Sequence, residues 1–249
     1  MRLPFLFIIY TLYFLLHSAV YLGANFHRQN LVIKILDVGQ GDSTLITTPS
    51  GKHMLIDGGG DYTADWLYFS ETRKPSCFID LVILTHAHDD HKVGLDRILE
   101  RCKVGMYKKL YKGDTLVIDE VLIKILWPEK GYSSSDLNDL STVVLLDYGK
   151  FEALFTGDAG SKIFSRLDEN VLKESIQGDL DLYKVPHHGS RTGLNRAFLY
   201  EYKPLTSVIS VGKDNKFDHP HQETLEFLSL LGGDIYRTDI HGTVEMKAF

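Results

Sequence analysis

The sequence predicts an α+β fold in which two β-sheets pack against each other within one domain, residues 30–249. Short apolar segments rich in β-branched residues recur along the chain, and turn residues such as Gly, Pro, Asn and Asp separate them. Amphipathic helical patterns lie between these segments rather than in a separate block. After residue 30 no low-complexity linker interrupts the chain, which favours one domain over two.

The predicted strands are apolar or alternating runs that end at turn residues. In chain order they span residues 31–36, 43–48, 53–56, 78–85, 115–118, 121–126, 142–147, 151–155, 182–185, 207–211, 234–237 and 243–247. The predicted helices lie within residues 61–74 and at residues 95–101, 161–167, 196–202 and 221–230. Residues 131–138, GYSSSDLN, form the internal segment with the strongest loop character.

The N-terminal segment is strongly apolar. Residues 3–24 read LPFLFIIYTLYFLLHSAVYLGA, and a run of about 22 such residues can span a bilayer. Small residues near its end also fit a cleaved signal peptide. We therefore predict one hydrophobic helix in residues 1–25, either a membrane anchor or a signal peptide, with a buried helix as the third alternative. Arg2 and His27-Arg28 nearly balance, so the positive-inside rule only weakly favours a domain outside the cytoplasm, anchored or secreted.

Composition restricts the function without defining it. The net charge of −6 and the isoelectric point near 6.0 give no overall attraction to nucleic acid, so DNA binding would need a local basic patch. Cys77 and Cys102 are the only cysteines. They can be one disulfide, two free thiols or a chance pair, which leaves the redox compartment open and excludes a cysteine-rich metal site. Of the 11 histidines, five fall into two short clusters.

The strongest functional signal is residues 86–91, HAHDDH, which directly follow a predicted buried strand. His86, His88, Asp90 and His91 offer imidazole and carboxylate groups, which suit zinc, manganese or iron. A strand end points His86 and His88 the same way, whereas Asp90 and His91 can serve a second ion. The alternative is a loop of surface histidines, which rarely places this pattern at a strand end.

The pattern H-x-H-x-D-H resembles the signature of the metallo-β-lactamase superfamily, and the resemblance extends over nearly the whole chain after residue 30. It implies a four-layer αββα sandwich with a binuclear site that holds two divalent ions, Zn²⁺ or Mn²⁺. Asp57 in LIDGG resembles the family's strand-end aspartate, which orients the ligand loop. Asp158 in LFTGD resembles the aspartate that bridges the two metals, although a turn residue is the alternative for Asp158 taken alone.

A second histidine cluster, His187-His188 in KVPHHGS, also follows a predicted strand. One of the two histidines should complete the shell of the second metal. We favour His187 as the ligand because it is the first to leave the strand, with His188 orienting a ligand or facing the substrate. Further along, His219 and His221 in DHPH could add a residue at the mouth of the cleft, and a surface residue at a helix start is the alternative for His221.

Four motifs are similar to the C-terminal domain of ComEC, the membrane channel for DNA uptake in natural competence. They are DVGQGDS at 37–43, KVPHHGS at 184–190, HPH at 219–221 and RTDIHGT at 237–243. That family's domain is proposed to be an extracytoplasmic nuclease that degrades the non-transported strand. Similar motifs occur in other envelope hydrolases, including choline-phosphate esterases. Full ComEC proteins have many membrane helices and this chain has at most one, so it resembles either a free-standing relative or the hydrolase part of a separate channel.

One departure concerns the third histidine of the first metal site, which the family carries before the bridging aspartate. The corresponding residues 135–141 read SDLNDLS. Asn138, Asp139 or a water molecule takes its position in this interpretation. Oxygen in place of nitrogen weakens zinc binding and makes manganese more plausible.

The favoured hypothesis is a binuclear phosphodiesterase, a nuclease linked to DNA uptake. Asp90 or Asp158 would accept the proton of the attacking water, His188 or His219 would protonate the leaving group, and Asp42 would orient the water. Its partners would be single-stranded or duplex DNA, the membrane, and a separate membrane channel protein. The candidate phosphate contacts are Lys108, Lys109, Lys112, Arg191 and Lys213.

Two alternatives stay open. An envelope esterase or phosphodiesterase with a small or lipid-linked substrate, for example a choline-phosphate ester, fits the acidic net charge at least as well. The other alternative is a non-enzymatic domain whose metal site is structural. The loops at residues 39–43, 189–193 and 213–218 indicate an open cleft, which argues against this second alternative.

Overall fold

The computed structural model of the protein describes residues 30–72 and 77–248. The hydrophobic helix predicted in residues 1–25 lies outside these ranges and stays a prediction. Within the described ranges, no helix combines the length and the apolar character that crossing a bilayer requires.

The described ranges contain thirteen strands, seven α-helices and two short 3-10 turns. The strands are β1 Leu31–Ile35, β2 Thr44–Thr47, β3 His53–Ile56, β4 Phe78–Ile83, β5 Lys103–Tyr107, β6 Thr115–Ile118, β7 Val121–Trp127, β8 Val143–Tyr148, β9 Phe151–Phe155, β10 Leu180–Lys184, β11 Pro204–Ile209, β12 Asp234–Arg237 and β13 Val244–Ala248. The helices are α1 Thr63–Thr72, α2 Asp89–Arg101, α3 Ser161–Phe164, α4 Glu169–Ser175, α5 Arg196–Glu201, α6 Gln222–Leu231 and α7 Thr238–His241. The 3-10 turns are Leu137–Leu140 and Pro186–Gly189.

The strands form two mixed sheets. The first sheet has six strands in the order β13-β1-β2-β3-β4-β5, and the second has seven in the order β12-β11-β10-β9-β8-β7-β6. Neighbouring strands run parallel from β3 to β5 and from β9 to β12. Parallel strands place their carboxyl ends at one edge of a sheet, and ligands of α/β proteins usually bind beyond these ends. The loops that follow β3, β4, β9 and β10 carry the histidines and aspartates described below.

Three apolar clusters hold the layers together. The cluster between the sheets contains side chains of both, including Ile33, Ile56, Val144, Phe155 and Val208. On the outer face of the first sheet, Leu95 and Ile98 of α2 pack with Leu55 and Val82. On the outer face of the second sheet, Phe164, Phe198 and Phe227 from three helices pack with Leu154 and Tyr183. Helices therefore cover the outer face of each sheet, and burial of these side chains is the main stabilising contribution.

The predicted α+β class with two packed sheets is confirmed. Strands β3, β6, β9 and β12 agree with the prediction to the residue. Helix α2 begins at Asp89 rather than at residue 95, because Asp89 and Asp90 occupy its first turn, where carboxylates interact favourably with the helix dipole. Strand β5 was not predicted because it is an edge strand that is mostly exposed and lacks clear alternation. Helices α4 and α7 were also missed.

Cys77 and Cys102 form a disulfide, which decides among the three alternatives left open by the sequence. Their Cα atoms lie 4.7 Å apart. Cys77 immediately precedes β4 and Cys102 immediately follows α2, so the disulfide joins the start of the ligand-bearing strand to the end of the helix that follows it.

Candidate metal centre

The first donor group consists of His86, His88 and Asp158. Nε2 of His86 lies 2.9 Å from Nδ1 of His88 and 4.0 Å from Oδ2 of Asp158. The side chains of His86 and Asp158 are buried, and His88 is half-buried. Burial and the neighbouring His91 lower the pKa of His86 to about 3. The ring is therefore neutral at pH 7, which is the form that binds a metal.

The second donor group consists of Asp90, His91, Asp158 and His188. Nε2 of His91 lies 3.2 Å from Oδ1 of Asp158, and Nε2 of His188 lies 3.2 Å from Oδ2 of Asp90 and 3.7 Å from Oδ2 of Asp158. Ligand atoms around a tetrahedral ion, each roughly 2.1 Å from it, are about 3.4 Å apart. The separations are compatible with one ion in this group, and Asp158 is common to both groups.

Two buried atoms support occupation by metal. Nε2 of His91 and Oδ1 of Asp158 lie 3.2 Å apart, but neither forms a hydrogen bond of suitable geometry with any described residue. A buried polar atom without a partner costs about 1–3 kcal/mol, and a bound cation would supply that partner for both atoms. Imidazole and carboxylate donors suit zinc and manganese. The residues present therefore fit the pair of divalent ions.

The carboxylate of Asp57 contacts Nδ1 of His91, the ring nitrogen that faces away from the donor group. Nδ1 of His91 lies 2.7 Å from Oδ2 of Asp57, and the backbone N–H and hydroxyl of Thr85 each donate to the same carboxylate at 2.7 Å. Burial lowers the pKa of His91, but the carboxylates of Asp158 and Asp57 outweigh burial and hold it well above its usual value. With Nδ1 occupied by Asp57, Nε2 is the nitrogen directed at the donor group. Asp57 thus contacts His91 directly, and Thr85 is a contact that the sequence did not indicate.

His188 is held by the backbone and by an ion pair. Its Nδ1 lies 2.9 Å from the carbonyl oxygen of Ser210 and 3.4 Å from Oδ1 of Asp42. Asp42 in turn forms a buried ion pair with Lys184, the last residue of β10. Burial lowers the pKa of His188, but the carboxylates of Asp158, Asp42 and Asp90 raise it to about 9. Ser210 and Lys184 were not singled out from the sequence.

The structure brings His188 rather than His187 into the four-residue group. Both residues have a left-handed backbone, with φ of 51° and 54°. This conformation turns the first ring outward, where Nδ1 of His187 lies 3.1 Å from the hydroxyl of Thr192. Nε2 of His187 still lies 3.9 Å from Oδ2 of Asp158. The preference for His187 assumed an extended strand end, and the turn at Pro186–Gly189 is the physical reason for the difference.

His219 lies beside the second histidine cluster. Its ring centroid is 5.4 Å from that of His187 and 6.3 Å from that of His188. Burial, together with His187 and His188, lowers the pKa of His219 to about 4. His221 stands at the N-terminus of α6, where Nδ1 accepts a hydrogen bond from the backbone N–H of Arg191. The segment DHPH therefore borders the site, with His219 nearer to it.

The residues proposed to replace the missing third histidine do not reach the donor groups. The carboxylate of Asp139 is paired with Lys162 at 2.7 Å and accepts a hydrogen bond from Ser134. Asn138 is absent from the donor groups found among the described residues. Ser141 is the nearest candidate instead, since its hydroxyl lies 3.3 Å from Nδ1 of His86 and accepts a hydrogen bond from the backbone N–H of Asp158.

Glycines allow the loops to converge on this site. Gly41 has φ of +142°, and a Cβ there would lie 2.2 Å from the carbonyl oxygen of Asp90. The backbone N–H of Asp42 donates to that same oxygen at 3.1 Å. Close approach of the DVGQGDS loop to the ligand loop therefore requires the absence of a side chain at Gly41.

A cavity of about 300 Å³ opens next to the first donor group. Thr85 and His86 form part of its wall, and Lys108 and Lys109 line it from the segment after β5. Lys112 lines a different cavity, and its Nζ lies 3.6 Å from Oε1 of Glu129. Arg191 and Lys213 are exposed. Of the five candidate phosphate contacts, the structure therefore brings two to this cavity.

Residues 36–118 match the model of the metallo-beta-lactamase superfamily. This match supports a metallo-β-lactamase domain over that part of the chain. Among curated proteins, the chain is 26% identical to ComE operon protein 3 of Bacillus subtilis, with 86% of this chain and 33% of that protein covered. It is 29% identical to recombination protein 2 of Haemophilus influenzae, with 87% of this chain and 29% of that protein covered. The similarity of the domain to ComEC-like competence proteins is confirmed, and the chain spans about a third of the length of these relatives.

Solved structures agree on the fold. The chain superimposes with a TM-score of 0.59 on Igni18, a metallo hydrolase from Ignicoccus hospitalis, at 16% identity, covering 88% of this chain and 100% of that one. The TM-score is 0.54 for CmlA, a diiron beta-hydroxylase from Streptomyces venezuelae, at 15% identity, covering 88% of this chain and 54% of that one. The metallo-β-lactamase fold binds divalent metals, usually two, and the donor groups described above provide the residues for them.

Proposed function

We propose that the domain is a binuclear metal-dependent phosphodiesterase that cleaves nucleic acid, a nuclease of the ComEC-like type. The observation that carries this proposal is the pair of donor groups joined by Asp158, next to a cavity lined by Lys108 and Lys109. Two adjacent metal sites with histidine and aspartate ligands are suited to in-line displacement at phosphorus. Lysines beside them suit a phosphate backbone. The acidic net charge is thereby offset locally rather than over the whole chain.

Two divalent ions, zinc or manganese, would supply an activated water and neutralise charge on the phosphate. Asp158 would contribute to both sites, and Asp90, whose side chain is 32% exposed, would be a ligand in the second. A His188 that serves as ligand has no proton to give at Nε2. His219 has a lowered pKa of about 4 and is neutral at pH 7, so it would position the leaving oxygen through its N–H rather than act as a strong acid. Asp42 would act through its contact with His188.

The proposed link to DNA uptake rests on the relatives. One of them is competence protein ComA of Neisseria gonorrhoeae, which is 26% identical to this chain over 86% of the chain's length. From this similarity to competence proteins, we propose that a membrane channel protein is the partner of the domain. A pull-down with this chain that recovers no channel component would count against that partner.

We further propose that the domain works outside the cytoplasm. The disulfide between Cys77 and Cys102 supports this, since structural disulfides persist in oxidising compartments. Residues 3–24 would tether the domain to the membrane. Protease accessibility in intact cells tests the placement. The mass of the extracted protein distinguishes an uncleaved anchor from a removed signal peptide.

Turnover is the deciding experiment for the activity. The full chain is incubated with a single-stranded oligonucleotide, a duplex and bis(p-nitrophenyl) phosphate, each with zinc or manganese. The double variant His86→Ala/Asp90→Ala should be inactive, whereas the control His241→Ala/Asp234→Ala, which lies outside both donor groups, should retain activity. Cleavage of the small ester alone would favour the envelope esterase. Ion binding without any cleavage would contradict the catalytic proposal.

A further inference from the structure

The cavity beside His86 differs in character from the donor groups that adjoin it. Apolar side chains of Leu84, Leu137 and Leu140 line it together with the ring of Tyr107. Leu137 is 38% exposed and Tyr107 is 47% exposed. Both belong to segments next to the site, the 3-10 turn Leu137–Leu140 and the end of β5. An apolar cavity that opens beside a metal centre with exposed apolar walls is the expected form of a ligand site.

The charges at the same cavity limit what can occupy it. Lys108 and Lys109 line it and are exposed, and neither forms an ion pair with a carboxylate in the part of the chain that the structure describes. Nζ of Lys109 lies 5.6 Å from the centroid of the Tyr111 ring, a contact that leaves its N–H donors available to an anion, as are those of Lys108. An occupant needs a flat apolar part for the Tyr107 and leucine walls and a phosphate for the lysines. A nucleotide has both, whereas a simple phosphate has only the second.

The size of the cavity bears on the form of the nucleic acid. At about 300 Å³ it is at the lower end of the range of ligand cavities, which suits one base and not a base pair. A base in a duplex would have to leave the stack before entering, at a cost of a few kcal/mol, whereas a base in a single strand is already available. Stacking of a base on an aromatic ring contributes about 1–3 kcal/mol and tolerates any base.

We propose that this cavity binds one unpaired nucleobase next to the scissile phosphate, with Tyr107 as the stacking surface and Lys108 and Lys109 contacting the flanking phosphates. This inference rests on the proposed function and specifies its substrate as single-stranded nucleic acid without base preference. The base is bound by the chain's own residues, so binding can be measured without turnover.

The test uses the full chain in EDTA and measures the fluorescence anisotropy of three labelled decanucleotides. They are a single strand, its duplex, and a strand of the same length made of abasic residues. We expect the single strand to bind more tightly than the other two. Tyr107→Ala should weaken single-strand binding by about 5- to 150-fold, the equivalent of losing one stacked base. Tyr107→Phe should stay within about two-fold of the wild type, because it keeps the ring.

Tyr236→Ala is the matched control, because Tyr236 is also exposed, at 37%, and lines a different cavity. Unchanged single-strand affinity in Tyr107→Ala, equal binding of the abasic strand, or no binding of any strand would overturn the base subsite. Circular dichroism confirms that each variant is folded. A different result would contradict the proposed function. If the chain binds the single strand through Tyr107 but cleaves no phosphodiester with added metal, the base subsite is supported and the nuclease activity is refuted.

Discussion

The two donor groups share Asp158 but differ in how their other ligands are held. In the second group a carboxylate supports His91, and a backbone carbonyl supports His188. In the first group the contacts of Nδ1 of His86 within the described ranges are hydroxyl groups, those of Thr85 at 3.2 Å and Ser141 at 3.3 Å. A carboxylate behind a histidine fixes its orientation and strengthens it as a ligand. We therefore expect the second group to bind its ion more tightly and the first group, beside the cavity at His86, to exchange its ion more readily.

The largest effect should follow from Asp158→Asn, which alters the residue common to both groups. We expect both ions to bind weakly and turnover of bis(p-nitrophenyl) phosphate to fall on the order of 10³-fold. Metal content after dialysis and initial rates measure this. Asp96→Asn on the exposed face of α2 serves as the control. Retention of both ions at wild-type affinity would mean that Asp158 does not bridge the groups.

The next effect separates the two adjacent histidines. His188→Ala removes a member of the second group, so one ion should be lost with an affinity drop of more than about 100-fold. His187→Ala should change metal affinity only a few-fold, because that ring contacts Thr192. Calorimetric titration with zinc gives both values. The reverse ranking would restore His187 as the ligand favoured by the sequence.

A smaller effect is expected from Asp57→Asn. The variant keeps the shape of the group that holds His91 and removes its charge, which should lower the affinity of the second site by about 10- to 100-fold. The first site should bind as before, so a two-step titration should become closer to a single step. Glu152→Gln, on β9 and outside the donor groups found in the described ranges, provides a control for a buried carboxyl group. Equal weakening of both sites would show that the groups are not supported independently.

The smallest effect on the site should come from the disulfide. Cys77→Ser/Cys102→Ser opens a loop of 25 residues, which should lower the free energy of unfolding by about 3 kcal/mol. Both ions should still bind, because neither cysteine contacts a donor group. Urea denaturation and metal titration of the double variant measure the two quantities, and the wild type with reductant should match it. Loss of an ion on reduction would show that the disulfide positions the ligand strand.

Much of the architecture could be predicted from local patterns. Strands β3, β6, β9 and β12 were placed to the residue because apolar runs there end at strong turn residues. Edge strand β5 shows no such pattern, because most of its side chains are exposed to solvent. Yet β5 ends at Tyr107, so the missed strand contributes to the wall of the cavity beside His86. Periodicity reports burial and is therefore weakest where a surface is left exposed for a ligand.

The sequence by itself predicted the class of fold and most of the candidate donor residues, HAHDDH because it follows a buried strand and Asp158 because of the family resemblance. Only the tertiary structure decided which of the adjacent histidines joins the four-residue donor group, because a left-handed turn at Pro186–Gly189 replaces the extended strand end. It also decided that Lys184 reaches Asp42 and that Ser141 lies beside His86. These contacts join residues far apart in the chain. Their geometry depends on how the two sheets pack, and no local pattern encodes it.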